Sequence, residues 1–86
     1  MTIKELRAFF EEHRVPKKLY SLKGNHNHRI CLEQDKSGWE VYFSDKKAKV
    51  GLMRFASEGE ACGRMKDEIK KVMELAYGLT WARIPG

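Results

Sequence analysis

The sequence predicts an α+β domain in which two helices flank an antiparallel sheet, and three observations lead to this prediction. Apolar residues alternate in two neighbouring runs: Ile30 and Leu32 in the first, and Trp39, Val41 and Phe43 in the second. A period of two is typical of strands that bury one face. Apolar residues at helical spacing precede and follow these runs. We therefore expect an antiparallel meander of three to four strands, with the N-terminal and C-terminal helices packed on one face (αββββα).

Turn residues divide the sheet into strands. Asp35–Gly38 is a polar cluster whose glycine can adopt a positive φ, and it predicts a hairpin. Asp45–Lys47 predicts the second reversal, and Val50–Phe55 the strand after it. Leu19–Leu22 is short and predicts a first, edge strand. One face of such a meander packs on the helices, and we expect the other face to be wetter and open to partners.

Capping residues mark both helices. Thr2 with Glu5 and Ser57 with Glu60 have the spacing of a capping box, and Gly78 has the position of a helix C-cap. The second helix carries one continuous apolar stripe, which we expect to pack on the sheet: Ala61, Cys62, Met65, Ile69, Val72, Met73 and Ala76. We expect Trp81 and Ile84 in the apolar tail to dock on the domain or on a partner.

Length and composition favour one globular domain over residues 1–86. The content of 42% hydrophobic and 34% charged residues is ordinary for a globular protein. No window reaches the run of about 20 apolar residues that a membrane span needs. The N-terminus lacks the apolar core of a signal peptide, so the expected compartment is cytoplasmic. In that compartment Cys31 and Cys62 are expected to be reduced.

The sequence contains little that suggests catalysis. His26 and His28 could supply two metal ligands, but a zinc site needs three or four protein ligands and no second pair has suitable spacing. We interpret this stretch as a polar loop between the first two strands. Cys62 lies in the first turn of a helix, where its pKa could be lowered, but a small buried hydrophobic residue is the favoured interpretation. We expect no enzymatic activity, no metal and no cofactor.

The net charge of +5 is concentrated in the predicted sheet. Residues 17–49 contain eight Lys or Arg residues against four Asp or Glu residues, an excess of four positive charges. An acidic partner would be attracted to this region. Nucleic acid and an acidic protein surface are both candidates.

Four short patterns occur in a recognisable order. They are Leu19–Leu22 before a glycine-containing loop, Cys31–Glu33 in a strand, Gly38–Ser44 in the next strand and Phe55–Cys62 at the start of a helix. Together, over roughly residues 3–75, they resemble small bacterial immunity proteins, which are encoded beside polymorphic or contact-dependent growth inhibition toxins. The resemblance implies a non-enzymatic cytoplasmic antitoxin. Such a protein binds the C-terminal domain of one cognate toxin and blocks its active site or the approach of its substrate.

A nuclease is one candidate for the toxin, and an inhibitor of a basic nuclease cleft would be expected to offer acidic side chains. Tyr42 is the kind of aromatic residue that anchors an interface. The same region has a net positive charge, which fits an acidic toxin face equally well. The residues that we predict to contact the partner lie on the outward sheet face and its turns: Glu33, Asp35, Glu40, Tyr42, Asp45, Lys46 and Lys47.

The alternative is a small basic nucleic-acid-binding module. A pI of 9.4, lysines in three loops and the aromatic residues Tyr20, Trp39 and Tyr42 favour it. Against it, Trp39 alternates with Val41 and Phe43 and so belongs to the core face of its strand. The sequence also has no aromatic pair of the RNP type.

Overall fold

The computed structural model describes residues 1–78, apart from the side chain of Tyr77. Its elements are helix α1 (Ile3–Glu12), a 3₁₀ turn (Lys17–Leu19), strands β1 (Tyr20–Ser21), β2 (Ile30–Asp35), β3 (Gly38–Asp45) and β4 (Ala48–Phe55), and helix α2 (Glu58–Tyr77). The predicted α+β class and the order αββββα are confirmed. Trp81 and Ile84 lie outside the described residues, so the docking of the tail stays a prediction.

Side-chain caps fix the helix starts where the sequence predicts them. At α1 the Thr2 hydroxyl accepts from the Glu5 backbone N–H (3.2 Å), and the Glu5 carboxylate accepts from the Thr2 N–H (2.9 Å). At α2 the Ser57 hydroxyl accepts from the Glu60 N–H (3.2 Å) and donates to the Glu60 carboxylate (3.0 Å). Gly78 ends α2 in the left-handed conformation, with φ 68°.

The hydrophobic core lies between the helices and one face of the sheet. Helix α2 packs on β2, β3 and β4, and α1 packs against α2. Trp39 is only half-buried at the edge of this core, and Phe43 is exposed on the same face. No helix within residues 1–78 has the length and apolar character that crossing a membrane requires. The fully buried apolar side chains of the core are Leu6, Phe10, Leu32, Val41, Ala61, Cys62, Met65 and Ile69.

The sheet is mixed, with strand order β1-β2-β3-β4. The pairs β2–β3 and β3–β4 are antiparallel as predicted, but β1 pairs with β2 in parallel, so the prediction of a fully antiparallel meander is wrong. The reason lies in residues 22–29, which form a crossover and not a hairpin. Asn25 hydrogen-bonds to Ser44 in β3, and Asn27 hydrogen-bonds to Lys46, which follows β3. The crossover therefore runs back along the sheet to the start of β2, so that β2 runs in the same direction as β1.

The crossover covers part of the sheet face that lies opposite the helices. Cys31, Tyr42 and Ser44 alternate with core residues and so point to this face, yet each is at most 1% exposed. Ser44 donates its hydroxyl to the Asn25 side-chain oxygen (2.8 Å), and the Cys31 sulfur accepts from the His26 N–H (3.4 Å). The expectation of an open, wetter face is therefore wrong for its centre.

A β-bulge interrupts the pairing of β3 with β4. Val41 pairs with Met53, whereas Phe43 pairs with Val50, so two residues of β4 oppose one residue of β3. Gly51 lies in this bulge with φ 65°, a conformation that suits glycine. After this extra residue, the side chains of β4 alternate in the opposite sense between the two faces of the sheet. This shift decides which charged side chains of β4 lie on the face opposite the helices.

Candidate functional site

A chain of ion pairs crosses the sheet face that lies opposite the helices. Glu40 in β3 is only 4% exposed and accepts from Lys49 (2.7 Å) and from Arg54 of β4. Lys49 also lies 3.4 Å from the Glu33 carboxylate in β2. Arg54 reaches the Asp35 carboxylate at 2.8 Å. Three carboxylates and two cations therefore form one network.

The bulge at Gly51 makes this network possible. Lys49 and Arg54 are five residues apart, and in a regular strand they would point to opposite faces. The extra residue puts both side chains on the face of Glu40, which a strictly alternating strand would not allow. The isolated glycine inside the strand pattern was the sequence signal for this arrangement.

Tyr42 is locked into the same network. Its hydroxyl donates to a Glu33 carboxylate oxygen (2.7 Å), and the Lys49 ammonium lies 5.0 Å from its ring centroid. Burial raises the pKa of Tyr42, and the hydrogen bond to the negatively charged Glu33 raises it further. Tyr42 is therefore a neutral donor that holds Glu33 in place.

These contacts neutralise three of the four acidic residues that the sequence predicts for partner binding: Glu33, Asp35 and Glu40. The hydrogen bond from Arg54 holds the pKa of the Asp35 carboxyl below its usual value, and the hydrogen bond to Glu40 raises the pKa of Lys49. Glu40 and Tyr42, at 4% and 1% exposed, offer almost no surface for a partner to touch. Their assignment as direct contacts conflicts with this burial.

Glu33 and Asp35 remain reachable at the edge of the network. Their side chains are 35% and 36% exposed. Each already has a cationic neighbour, so a partner would meet ion pairs and not free carboxylates. Such a face does not resemble the acidic surface of a nucleic-acid mimic.

The other predicted contact residues lie together on the β3–β4 turn. Asp45, Lys46 and Lys47 are all exposed, and Lys46 and Lys47 have φ values of 50° and 68°. Two consecutive positive φ values are what a two-residue type I′ hairpin turn requires. Asn and Gly usually occupy these positions, because a left-handed conformation costs other residues about 1–2 kcal/mol each.

The crossover holds this turn from the side. Asn27 accepts from the Lys46 backbone N–H at 2.6 Å, and Asn25 donates to the Lys47 carbonyl at 3.4 Å. We name Asn25, Asn27, Asp45, Lys46 and Lys47 the loop–turn surface. The sequence located the turn, but the two asparagines that brace it were interpreted only as loop residues.

The remaining candidates from the sequence are dispersed or buried. His26 and His28 are exposed, and within residues 1–78 no three His, Cys, Asp or Glu side chains are grouped so that they could hold a metal. Burial raises the pKa values of both Cys31 and Cys62, which disfavours the reactive thiolate. Neither thiol has the environment of a nucleophile.

No protein-family model, curated protein or solved structure matches this chain.

Proposed function

We propose that this protein is a non-enzymatic immunity protein that binds a cognate bacterial toxin domain and blocks its active site or the approach of its substrate. The loop–turn surface would be the main contact. It would meet an acidic patch on the toxin, while Glu33 and Asp35 would lie at the edge of the interface. In this proposal Glu40 and Tyr42 do not contact the toxin. They support the Glu33 and Asp35 side chains from beneath the edge of the interface.

One observation carries the proposal: charged residues are held in a fixed, exposed conformation by a second loop. Lys46 and Lys47 form no ion pair with any residue in 1–78, in contrast to Lys49 and Arg54 next to them. Backbone strain that neighbouring side chains stabilise is often found at functional sites. Two strained lysines at an exposed tip therefore favour recognition of an acidic surface.

The decisive experiment is co-purification with the toxin domain encoded next to this protein, combined with growth rescue in cells that express the domain. The double variant Lys46→Asp/Lys47→Asp reverses both charges, and aspartate tolerates the left-handed conformation better than most residues. We expect at least about a tenfold loss of affinity, mostly through slower association at low salt.

A matched control is Lys4→Asp/Lys18→Asp, which makes the same change in net charge at exposed sites away from the loop–turn surface and from the edge formed by Glu33 and Asp35. We expect this control to keep its affinity within about threefold and to rescue growth. Failure of the wild type to form a complex would overturn the proposed function. A complex that both variants weaken equally would instead overturn the assignment of the surface.

Nucleic-acid binding is the second candidate, and the unpaired lysines of the loop–turn surface favour it as well. The burial of the sheet aromatics counts against it: Tyr20 is 7% and Tyr42 is 1% exposed, and Trp39 packs on the core. A base-stacking platform would need exposed rings. Salt separates the two candidates, because nucleic-acid binding should fall steeply between low and moderate salt whereas a shape-matched protein complex should lose much less.

A further inference from the structure

A second cationic site lies on the other side of the crossover, between α1 and β1. It is an open cleft of about 390 Å³, within the size range of small-molecule sites. We name it the cationic cleft and define it by its charged lining: Arg7 and Glu11 from α1, Lys17 from the 3₁₀ turn, and Lys23 and Arg29 from the crossover. It shares no residue with the loop–turn surface.

The charge of the cleft is unbalanced. Four cationic side chains from three separate segments surround it, against the single carboxylate of Glu11. None of the four forms an ion pair with the part of the chain that the structure describes. Arg7, Lys17 and Lys23 are exposed, and Arg29 is half-buried. Like charges around a concave surface repel one another and raise the positive potential in the space between them. A bound anion would relieve this repulsion.

Arg29 is the one of these four cations that is not fully exposed. It is half-buried, and one of its guanidinium nitrogens donates to the Tyr20 carbonyl at 3.4 Å. A guanidinium has five N–H donors in a planar fork, so most of them remain for a ligand. The Ser21 hydroxyl donates to the Gly24 carbonyl (2.8 Å), which closes the turn that carries Lys23. These two contacts hold Arg29 and the turn that carries Lys23 in place without a ligand.

Tyr20 adds a neutral donor to the lining. Its ring is fixed against Phe10, with the ring centroids 4.6 Å apart. Burial raises the pKa of Tyr20, and the negative charge of Glu11 raises it further, while the positive charge of Arg7 lowers it by less. The Tyr20 hydroxyl therefore keeps its proton at neutral pH. A neutral phenol in a cleft that is also lined by the Arg7 and Arg29 guanidinium groups can donate a hydrogen bond to an oxyanion.

From this juxtaposition we propose that the cationic cleft binds a small phosphorylated ligand through Arg7, Lys17, Lys23 and Arg29. The excess of three positive charges fits the two or more negative charges of a phosphate ester or a pyrophosphate group better than the single charge of a carboxylate. The volume leaves room for more than a bare phosphate. The inference concerns a different set of residues from the proposed toxin contact and does not depend on it.

The test is isothermal titration calorimetry of the whole chain at a fixed ionic strength with pyrophosphate, inorganic phosphate, AMP and acetate. We expect saturable one-site binding of pyrophosphate or AMP and at least about tenfold weaker binding of acetate, which carries a single carboxylate charge. Tighter binding of AMP than of pyrophosphate would identify a nucleotide as the ligand class, and the reverse order would identify a bare polyphosphate. Both orders support the site. Equal binding of acetate and pyrophosphate would overturn it.

Two variants localise the binding. Arg7→Gln and Arg29→Gln each remove one guanidinium from the cleft, and each should weaken pyrophosphate binding by about tenfold or more. Lys36→Gln removes the same charge at an exposed site outside the cleft and outside the loop–turn surface, and it should leave the affinity within about twofold. Far-UV circular dichroism and the Tm without ligand establish whether each variant is folded. Arg7→Gln serves if Arg29→Gln unfolds, because Arg7 is exposed on α1. Equal losses in Lys36→Gln and Arg7→Gln would refute the site in favour of diffuse charge attraction.

Discussion

The Glu40 network predicts an asymmetry between removing its carboxylate and removing its cations. The Glu40 side chain is only 5% exposed, whereas the side chains of Lys49 and Arg54 are 37% and 48% exposed. In Glu40→Gln the two cations can turn to water. In the double variant Lys49→Met/Arg54→Met the carboxylate stays in a buried position without a compensating charge.

The two free energies of unfolding should therefore change by different amounts. We expect Glu40→Gln to lose about 1 kcal/mol, because exposed cations recover most of their solvation and the glutamine oxygen still accepts a hydrogen bond. The double variant should lose about 3–5 kcal/mol, the usual cost of an unpaired buried charge. The triple variant Glu40→Met/Lys49→Met/Arg54→Met should be more stable than the double variant, because it removes the stranded carboxylate.

Urea denaturation followed by circular dichroism measures these differences, with Lys36→Met as the control for loss of an exposed cation. The m-values must agree among the variants if the midpoints are to be compared as stabilities. A loss in Glu40→Gln that equals or exceeds the loss in the double variant would refute the reasoning. It would mean that the ion pairs stabilise the two cations more than they stabilise the Glu40 carboxylate.

Three further predictions concern the bulge, the thiols and the buried phenol. Gly51→Ala meets no neighbouring atom, so its cost should be conformational only, about 1 kcal/mol and a fall of several degrees in Tm; an unchanged Tm would contradict the left-handed bulge. Cys31 and Cys62 should react with Ellman's reagent only as fast as the protein opens, so their rates should rise with urea; fast labelling without urea would contradict their burial. Tyr42→Phe should cost about 1 kcal/mol near neutral pH through loss of the hydrogen bond to Glu33. The raised pKa of Tyr42 stabilises the fold fully below the pKa of an unfolded tyrosine, about 10, and this contribution declines as pH rises above it. Wild type should therefore lose more stability than Tyr42→Phe between about pH 9 and pH 11, and parallel curves would argue against that shift.

Local signals in the sequence predicted most of the fold. Thr2, Ser57 and Gly78 identify the helix ends because each cap depends on a side chain or a glycine within one turn. Alternation identified β2 and β3, and the polar cluster at Asp35–Gly38 identified their hairpin, in which Gly38 has φ 149°. These features are encoded within a few residues.

Features that depend on distant contacts were not predicted. The parallel pairing of β1 follows from hydrogen bonds that Asn25 and Asn27 make to residues about twenty positions away, and loop composition alone does not contain that information. The burial of Glu40 likewise depends on the bulge, which turns Arg54 to the same face as Lys49. The prediction that Tyr42 points to the sheet face opposite the helices was correct. The crossover that buries Tyr42 on this face could not be predicted from the alternation of apolar residues.

The braced turn at Lys46 and Lys47 has a consequence for the thermodynamics of association. A charged loop that becomes ordered only in a complex loses backbone entropy at that step, about 1–2 kcal/mol for each residue that is fixed. Here the asparagine side chains order the turn while the chain folds, so that loss belongs to the folding reaction. A partner that meets the two lysines has only their side-chain rotamers left to immobilise. If the loop–turn surface binds the proposed toxin, the ordering of this turn would lower the stability of the free protein and raise the affinity of the complex.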